Sequence, residues 1–302
     1  MTPRRALLWT AIWVSFALCF CSLIYLKIGP EFLQPHLGPD KAKEFLSGYL
    51  IEYALSVDNL FVFLMLFGHF KVPPRLQRRV LTWGIVSVIF LRGVMILVGA
   101  ALIQRFHFVL VGFGLLLLYT AWKMLAHGEE EQDAESLTRN PILKLFRKVM
   151  PVSTTPDGEK FFTRRSGFWE ATPLLVILLL VEVTDILFAV DSIPAIFAIT
   201  TDTFIVFSSN LLAVMGLRSL YFLLARVEQV FKYVKKGVGI ILAFVGVKMI
   251  VGPLGLHIPV DVSLAVVVSI LVGSALLSFL KRDPSVKFLS EDAGISDEDE
   301  QP

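Results

Sequence analysis

The sequence predicts an all-α polytopic membrane protein, and three observations lead to that prediction. Hydrophobic residues make up 55% of the 302 residues and charged residues only 18%, a low share of charge for a soluble domain. The apolar residues are gathered in runs that are long enough to cross a bilayer as helices. The basic residues are concentrated in alternate connections between those runs, which is typical of a chain that crosses a membrane repeatedly.

Eight spans are predicted, with Gly and Pro residues marking several of the connections between them. The first span lacks a small-residue cleavage site and is followed by further spans, so it is predicted to be a membrane helix and not a signal peptide. The only two cysteines, Cys19 and Cys21, both fall in this span and form no disulfide framework or thiolate metal motif. The predicted spans cover about residues 6–28, 45–69, 79–103, 107–127, 170–200, 204–225, 236–252 and 260–280.

The distribution of basic residues predicts the orientation of the chain. If both termini lie on one side, that side receives 20 Lys and Arg residues and the other side receives four. Cytoplasmic connections are enriched in Lys and Arg, so both termini are predicted to be cytoplasmic.

Landmarks that occur twice in the same order predict two copies of a three-helix unit. Each copy has an acidic pair, then a span with a central arginine, Arg92 or Arg218, then a span with two glycines and a lysine. An odd number of spans per copy inverts the second copy in the membrane. The predicted segments are an N-terminal span and outer loop (1–44), a first repeat (45–127), a cytoplasmic loop (128–169), a second repeat (170–253), a last span (254–282) and an acidic disordered tail (283–302).

The cytoplasmic loop is the only sizeable connection, and about 40 residues are too few for a catalytic domain. Within it, residues 141–150 form a basic amphipathic stretch that is expected on the inner leaflet. Residues 155–158 predict a turn and residues 160–165 an extended segment. We therefore expect no enzyme.

The acidic pairs are the candidate functional residues. Ionisable side chains inside a membrane are costly and are a functional hypothesis by default, here a cation site at the interface of the repeats. Arg92 and Arg218 are the expected charge partners. The alternative is that the acids only tie helices together through these arginines. The predicted metal residues are Glu52, Asp58, Asn59, Glu182, Asp185, Asp191 and Ser192.

The spacing within a pair bears on how its two acids could meet. Six residues advance a helix by about 9 Å and turn it by roughly 120°, so the two side chains do not share one face. Pro194 cannot donate a hydrogen bond to the carbonyl of Val190, which predicts a break in the helix and a free oxygen beside Asp191. Glu182 and Pro194 occur only in the second copy, so its span is expected to hold a metal more tightly.

The donor types indicate which cation would bind. Carboxylate, amide, hydroxyl and carbonyl oxygens suit Mn²⁺, Mg²⁺ or Ca²⁺ better than Zn²⁺ or Cu⁺. The ion is expected as cargo, with no resident cofactor and no nucleic-acid partner. An intramembrane aspartyl protease is disfavoured because neither Asp58 nor Asp191 lies in a Gly-x-Gly-Asp motif. The histidines are expected at span ends and not as ligands: His36, His69, His107, His127 and His257.

Several stretches resemble the TerC family of integral membrane proteins, and within it the Alx-type bacterial members. They are residues 45–59, 76–80, 181–185, 191–195, 209–211 and 216–218, and the resemblance covers about residues 5–282. It implies a bacterial inner-membrane protein linked to manganese efflux and, by the family's name, to tellurium resistance. By position it also implies that Glu52, Asp58, Asn59, Glu182, Asp185 and Asp191 form the metal path.

A different class of function is also weighed, a non-transporting membrane scaffold that assists the assembly of membrane or secreted proteins. The sequence leaves open the energy source of transport and whether copies of the chain associate.

Overall fold

The computed structural model describes residues 3–106, 108–126, 146, 150–153, 157–165, 168–224, 232–256 and 258–280. This part of the chain contains eight long α-helices, and all eight are long and apolar enough to cross a membrane. The predicted all-α architecture with eight spans is therefore confirmed. The helices are α1 (Pro3–Tyr25), α2 (Pro39–His69), α3 (Pro74–Arg105), α4 (Phe108–Ala126), α5 (Pro173–Phe197), α6 (Thr203–Leu224), α7 (Lys232–Val251) and α8 (Val260–Leu280).

Helices α2 and α3 begin five or six residues before the predicted spans, because polar first turns extend the helices beyond their apolar runs. A proline occupies the first turn of α2, α3 and α5, where the missing backbone N–H has no intrahelical partner to lose. Helix α6 begins after Asp202, whose carboxylate accepts hydrogen bonds from the backbone N–H groups of Phe204 (3.1 Å) and Ile205 (3.4 Å).

Pro194 lies inside α5 and does not end it, since the helix continues to Phe197. The predicted break at this position is therefore wrong. Proline removes one backbone donor, and here the loss falls in the last turn, where the helix is about to end anyway. The backbone N–H of Ala198 still donates to the carbonyl of Pro194 at 3.0 Å.

Contacts at the helix ends define two faces of the bundle. On the first, called the His36 face, His36 and Lys41 both contact Asp202, at 2.9 and 3.2 Å, which joins the starts of α2 and α6. On the second, called the Gln77 face, the hydroxyl of Tyr221 near the end of α6 donates to Gln77 near the start of α3 at 3.1 Å. Helices α3 and α6 therefore run in opposite directions. The predicted orientation would make the Gln77 face cytoplasmic.

Helices α2, α5 and α6 are the most buried of the eight candidate spans, whereas α1, α4 and α8 are the most exposed. The helices that carry the acidic pairs thus occupy the centre of the bundle. Polar side chains at membrane depth are tolerated where protein surrounds them.

Helices α4 and α7 pack closely because two glycines face each other. A Cβ atom built on Gly114 or on Gly246 would lie 2.9 Å from the other residue's carbonyl oxygen. Such small residues allow helix backbones to approach within a membrane. A Cβ on Gly239 would approach Leu125 at 3.0 Å, so the two helices run antiparallel. Their relation as inverted copies stays a prediction.

An antiparallel hairpin precedes α5, formed by β1 (Phe162–Arg165) and β2 (Phe168–Ala171). The extended segment predicted at 160–165 agrees with β1. A span was predicted to begin at about residue 170, but Glu170 and Ala171 belong to β2 and pair with β1, and the helix begins only at Pro173. A short 3₁₀ helix, Glu31–His36, precedes α2.

Some predictions concern residues outside the described ranges. The acidic tail (283–302), His107, His127 and His257 fall there entirely, as do most of the amphipathic stretch (141–150) and half of the turn (155–158). The described end of that turn has Gly158 at a φ of 57°, a conformation that glycine adopts without strain.

Candidate cation site

Arg92 of α3 lies at the centre of the bundle between two carboxylates. Its Nε and Nη2 atoms donate to the two oxygens of Asp185 on α5, at 3.0 and 2.9 Å. Its Nη1 atom donates to Oε1 of Glu52 on α2. All three side chains are at most 2% exposed. The paired contacts to Asp185 have the forked geometry that makes arginine–carboxylate pairs strong, and they join α2, α3 and α5.

This cluster holds more negative charge than positive, because two carboxylates share one guanidinium. The second oxygen of Glu52, Oε2, is buried and has no hydrogen-bond partner in the protein. A buried charge group is stable only when its charge and its hydrogen-bonding capacity are satisfied. The cluster can therefore attract a further cation or a proton.

Glu182 lies one turn before Asp185, at the interface between α5 and α3. Its Oε1 accepts a hydrogen bond from the hydroxyl of Ser87, and its Oε2 is buried without a protein partner. Oε1 also lies 3.7 Å from the position that a Cβ atom would take on Gly84. The glycine thus leaves room for this carboxylate against α3.

A small cavity of about 20 Å³ adjoins Asp185 on the side toward the Gln77 face. Its walls are Asp185, Gly84 and apolar side chains from α2, α3, α5 and α6. A volume of roughly 10–15 Å³ is the least that admits a water molecule, so one water fits. The cavity therefore lies next to the buried carboxylate of Asp185, on its predicted cytoplasmic side.

Asp191 faces a different neighbour from Asp185. Its Oδ1 accepts a hydrogen bond from the hydroxyl of Thr120 on α4 at 2.9 Å, and the charge of Lys123 on the same helix also acts on it. Asp185 points to α3 instead. The six-residue spacing on an unbroken helix accounts for this divergence, because the two side chains leave α5 in different directions.

The small polar residues of the predicted set are buried. Asn59 and Ser192 are 3% and 1% exposed, and the hydroxyl of Ser192 has no protein hydrogen-bond partner. The side chains of Asp58 and Arg218 lie outside the described part of the structure, although the backbone is helical at both residues. Among the residues that are described, no three His, Cys, Asp or Glu side chains converge as metal ligands would. The predicted ligands are therefore spread along α2 and α5.

Three hydroxyl residues of the site were not predicted. Ser87 and Thr120 hydrogen-bond to predicted acids, and the hydroxyl of Ser56 is fully buried without a protein partner. Serine and threonine are frequent in membrane helices, so the first two carry no signal in the sequence. Ser56 carries a weak one, because it lies four residues after Glu52 and on the same side of α2.

The histidines lie away from the site wherever they are described. His36 contacts Asp202 at the His36 face, and His69 is in the last turn of α2. The pKa of Asp202 is shifted down: burial alone would raise it, but hydrogen bonds from His36 and Lys41 outweigh that effect.

The fold and this site define a class of protein, an integral membrane protein with ionisable side chains buried among its central helices. The chain belongs to the TerC family, because the model of the integral membrane protein TerC family matches residues 37–285.

The chain is similar to several known proteins. It is 46% identical over 273 residues to "Putative membrane-bound redox modulator Alx" of Escherichia coli K12, which covers 90% of this chain and 83% of that protein. It is 45% identical over 278 residues to an uncharacterized membrane protein of Myxococcus xanthus, covering 92% and 83%. It is 42% identical over 268 residues to the chloroplastic thylakoid membrane protein TERC of Arabidopsis thaliana, covering 89% and 68%. No solved structure matches the chain.

Proposed function

We propose that this protein is a divalent cation transporter that exports Mn²⁺ from the bacterial cytoplasm through the carboxylates of α2 and α5. One observation carries the proposal: Glu52 and Asp185 are buried together on a single guanidinium, that of Arg92. An excess of carboxylate in a membrane interior is costly. Its retention at the centre of the bundle is best explained by a cation that binds there during the protein's work.

The available donor atoms support a hard cation. The oxygens Glu52 Oε2, Ser56 Oγ, Glu182 Oε2 and Ser192 Oγ are all buried on the acid-bearing helices and have no protein hydrogen-bond partner. Mn²⁺, Mg²⁺ and Ca²⁺ prefer such oxygen ligands. Among these ions Mn²⁺ is favoured by the resemblance to the TerC family.

The packing of α2 against α5 brings two of these oxygen-bearing residues to a similar depth. A Cβ atom built on Gly48 of α2 would lie 3.2 Å from the side chain of Ile196 on α5. Glu52 follows Gly48 by one turn, and Ser192 precedes Ile196 by one turn. Helices α2 and α5 cross the bundle in opposite directions, so Glu52 and Ser192 reach the same level.

Arg92 would act as the counter-ion of these carboxylates whenever no metal ion is bound to them. It holds Asp185 and Glu52 in the described arrangement, so a metal ion gains these ligands only when the guanidinium releases at least one of them. A transporter that alternates between a guanidinium-paired and a metal-paired arrangement has the two discrete states that alternating access requires. Carboxylates can also exchange a metal ion for protons, which makes proton exchange a plausible source of energy.

Manganese accumulation in cells tests the proposal. Cells with Glu52→Gln, Asp185→Asn or Asp191→Asn should retain more manganese under Mn²⁺ load than cells with the unaltered protein. Asp58→Asn tests Asp58, another of the acids predicted to bind the metal ion, and the same result is expected. Asp261→Asn is the matched control, because Asp261 pairs with Lys43 at the His36 face with its side chain 67% exposed. Full efflux by the Glu52 and Asp185 variants at normal protein level would refute the metal path.

The names of several relatives suggest a redox role, and the cysteines of this chain give that role little support. Cys19 and Cys21 lie on α1, two residues apart, so they project from nearly opposite sides of the helix and cannot bond to each other. The thiol of Cys21 donates to the carbonyl oxygen of Ala42 at 3.5 Å.

The scaffold alternative has a separate test. If the protein is a scaffold, deletion of residues 128–168 should impair the assembly of other membrane or secreted proteins while manganese efflux continues. If the protein is the transporter proposed here, conservative changes at Glu52 and Asp185 abolish efflux even when the loop is intact.

A further inference from the structure

The β1–β2 hairpin is held firmly to the helix bundle at its base. The backbone N–H and hydroxyl of Thr172 donate to the carbonyls of Phe161 (2.9 Å) and Lys160 (2.7 Å). Glu159 accepts hydrogen bonds from Arg79 at 3.0 Å and forms an ion pair with Arg75, both on the first turns of α3. The hairpin is therefore a fixed part of the Gln77 face.

The depth of the hairpin follows from its contact with Trp83. This tryptophan belongs to α3, more than two turns inside the helix, and its side chain is 53% exposed on the outside of the bundle. The ring of Phe161 packs against it edge to face, with 6.4 Å between ring centroids. Strand β2 ends at Ala171, two residues before α5 begins. The base of the hairpin thus lies where α3 and α5 enter the membrane.

The hairpin exposes large aromatic side chains. Phe168 is 74% exposed, Trp169 62% and Phe162 46%. In the strand register Phe168 lies opposite Arg165 and Trp169 opposite Arg164. Aromatic side chains, tryptophan above all, are enriched at the boundary between lipid headgroups and hydrocarbon.

Two exposed basic residues belong to the hairpin region: Arg164 lies opposite Trp169 in the strand register, and Lys160 precedes β1. Lys160 forms an ion pair with Asp157 at 3.2 Å, and Arg75 and Arg79 share the carboxylate of Glu159, which leaves one positive charge in excess in that triad. Basic residues beside a membrane attract anionic lipids at its surface. Further exposed basic residues lie at or near the start of α3, namely Lys71, Arg75 and Arg78.

We infer that the β1–β2 hairpin is a binding element for anionic lipids. Trp169 and Phe162, which share one face of the hairpin with Arg164, insert at the boundary between headgroups and acyl chains. Lys160 and Arg164 bind the phosphate groups of lipids such as phosphatidylglycerol. The inference is independent of the transported ion. It assigns the hairpin to the membrane surface and not to a protein partner.

Fluorescence quenching of Trp169 tests the insertion. The full chain is placed in lipid nanodiscs, and the emission lost in Trp169→Phe identifies the contribution of this residue. Lipids brominated near the headgroup should quench that contribution more strongly than lipids brominated near the chain end, and aqueous acrylamide should quench it little. Trp122→Phe is the control, because Trp122 is 58% exposed on α4 and away from the hairpin.

Quenching by acrylamide without quenching by either brominated lipid would overturn the inference. That result would place the aromatic surface in water, where it would be available to a protein partner. Quenching mainly by lipids brominated near the chain end would also contradict it, because the residue would then lie in the hydrocarbon core.

Lipid composition tests the basic residues separately. The unaltered protein should bind phosphatidylglycerol in preference to phosphatidylcholine in mixed nanodiscs. Each of Lys160→Gln and Arg164→Gln should lower that preference about fivefold, the effect of one basic residue near an anionic surface. Lys43→Gln at the opposite face is the matched control and should leave it unchanged. An unchanged preference in the Lys160→Gln/Arg164→Gln double variant would refute the lipid site.

Discussion

Two ion triads of opposite composition lie at different depths in this protein. In the centre, Arg92 is shared by Glu52 and Asp185, and all three side chains are at most 2% exposed. At the Gln77 face, Glu159 is shared by Arg75 and Arg79, with side chains 35%, 85% and 37% exposed. The first triad has one carboxylate too many, and the second has one guanidinium too many.

The same pairing chemistry serves different purposes at the two depths. In the centre the three side chains are buried away from bulk solvent, so the surplus carboxylate needs either Arg92 or another cation beside it. At the Gln77 face water and salt screen the triad, and the surplus positive charge is free to attract lipid phosphates. The two proposals follow this difference in depth: a metal ion is proposed for the central triad and an anionic lipid for the peripheral one.

Removal of the central guanidinium should have the largest effect on stability. Arg92→Gln leaves Glu52 and Asp185 buried together without a counter-charge, which should lower the free energy of unfolding by about 3–5 kcal/mol. Thermal unfolding of the detergent-solubilised protein measures the loss. Arg79→Gln is the matched control from the peripheral triad and should cause a much smaller change.

A second substitution distinguishes charge from shape in this result. Arg92→Gln/Asp185→Asn removes one carboxylate together with the guanidinium and should recover part of the stability that Arg92→Gln loses. Equal stability of the double and single variants would show that the packing of Arg92, and not its charge, supports the bundle.

Replacement of the guanidinium by an ammonium should have an intermediate effect. Arg92→Lys keeps the positive charge but cannot form both hydrogen bonds to Asp185, because lysine lacks the planar fork of arginine. The loss of one charged hydrogen bond predicts a decrease of about 1.5–3 kcal/mol in the free energy of unfolding. A decrease as large as that of Arg92→Gln would show that geometry outweighs charge in the central triad.

The peripheral triad should produce the smallest effect, and one that depends on pH. A hydrogen bond from Arg79 and the charge of Arg75 hold the pKa of Glu159 below its usual range. The contribution of Glu159 to docking of the hairpin is therefore fully present above the usual glutamate pKa and is lost as the pH falls through the lowered value. The protection factor of the Thr172 amide, its hydrogen exchange relative to the intrinsic rate at each pH, should fall over that acidic interval.

Two controls separate this effect from general acid unfolding. Glu159→Gln should abolish the pH dependence of the protection factor at Thr172, and added salt should weaken that dependence because the triad is exposed to solvent. An identical pH profile in Glu159→Gln would mean that another acidic group controls docking of the hairpin.

The predictions from the sequence succeeded where the membrane itself sets the rule. The bilayer fixes the length of a span, so runs of apolar residues predicted all eight helices. They failed at positions where backbone hydrogen bonds between nearby residues determine the local structure. The predicted start of a span at about residue 170 fell on strand β2, whose Glu170 and Ala171 pair with β1, so the helix begins only at Pro173. Pro194 was expected to break α5, but it falls in the last turn, where a lost hydrogen bond matters little.

The sequence by itself determined that acidic side chains lie within membrane helices and that arginines accompany them, because charge is rare there and stands out against the apolar runs. Only the tertiary structure decided which groups meet. The acids of the second pair, Asp185 and Asp191, leave α5 in different directions and reach Arg92 of α3 and Thr120 of α4. Those contacts depend on how three helices pack, and neither spacing nor composition along a single helix contains that information.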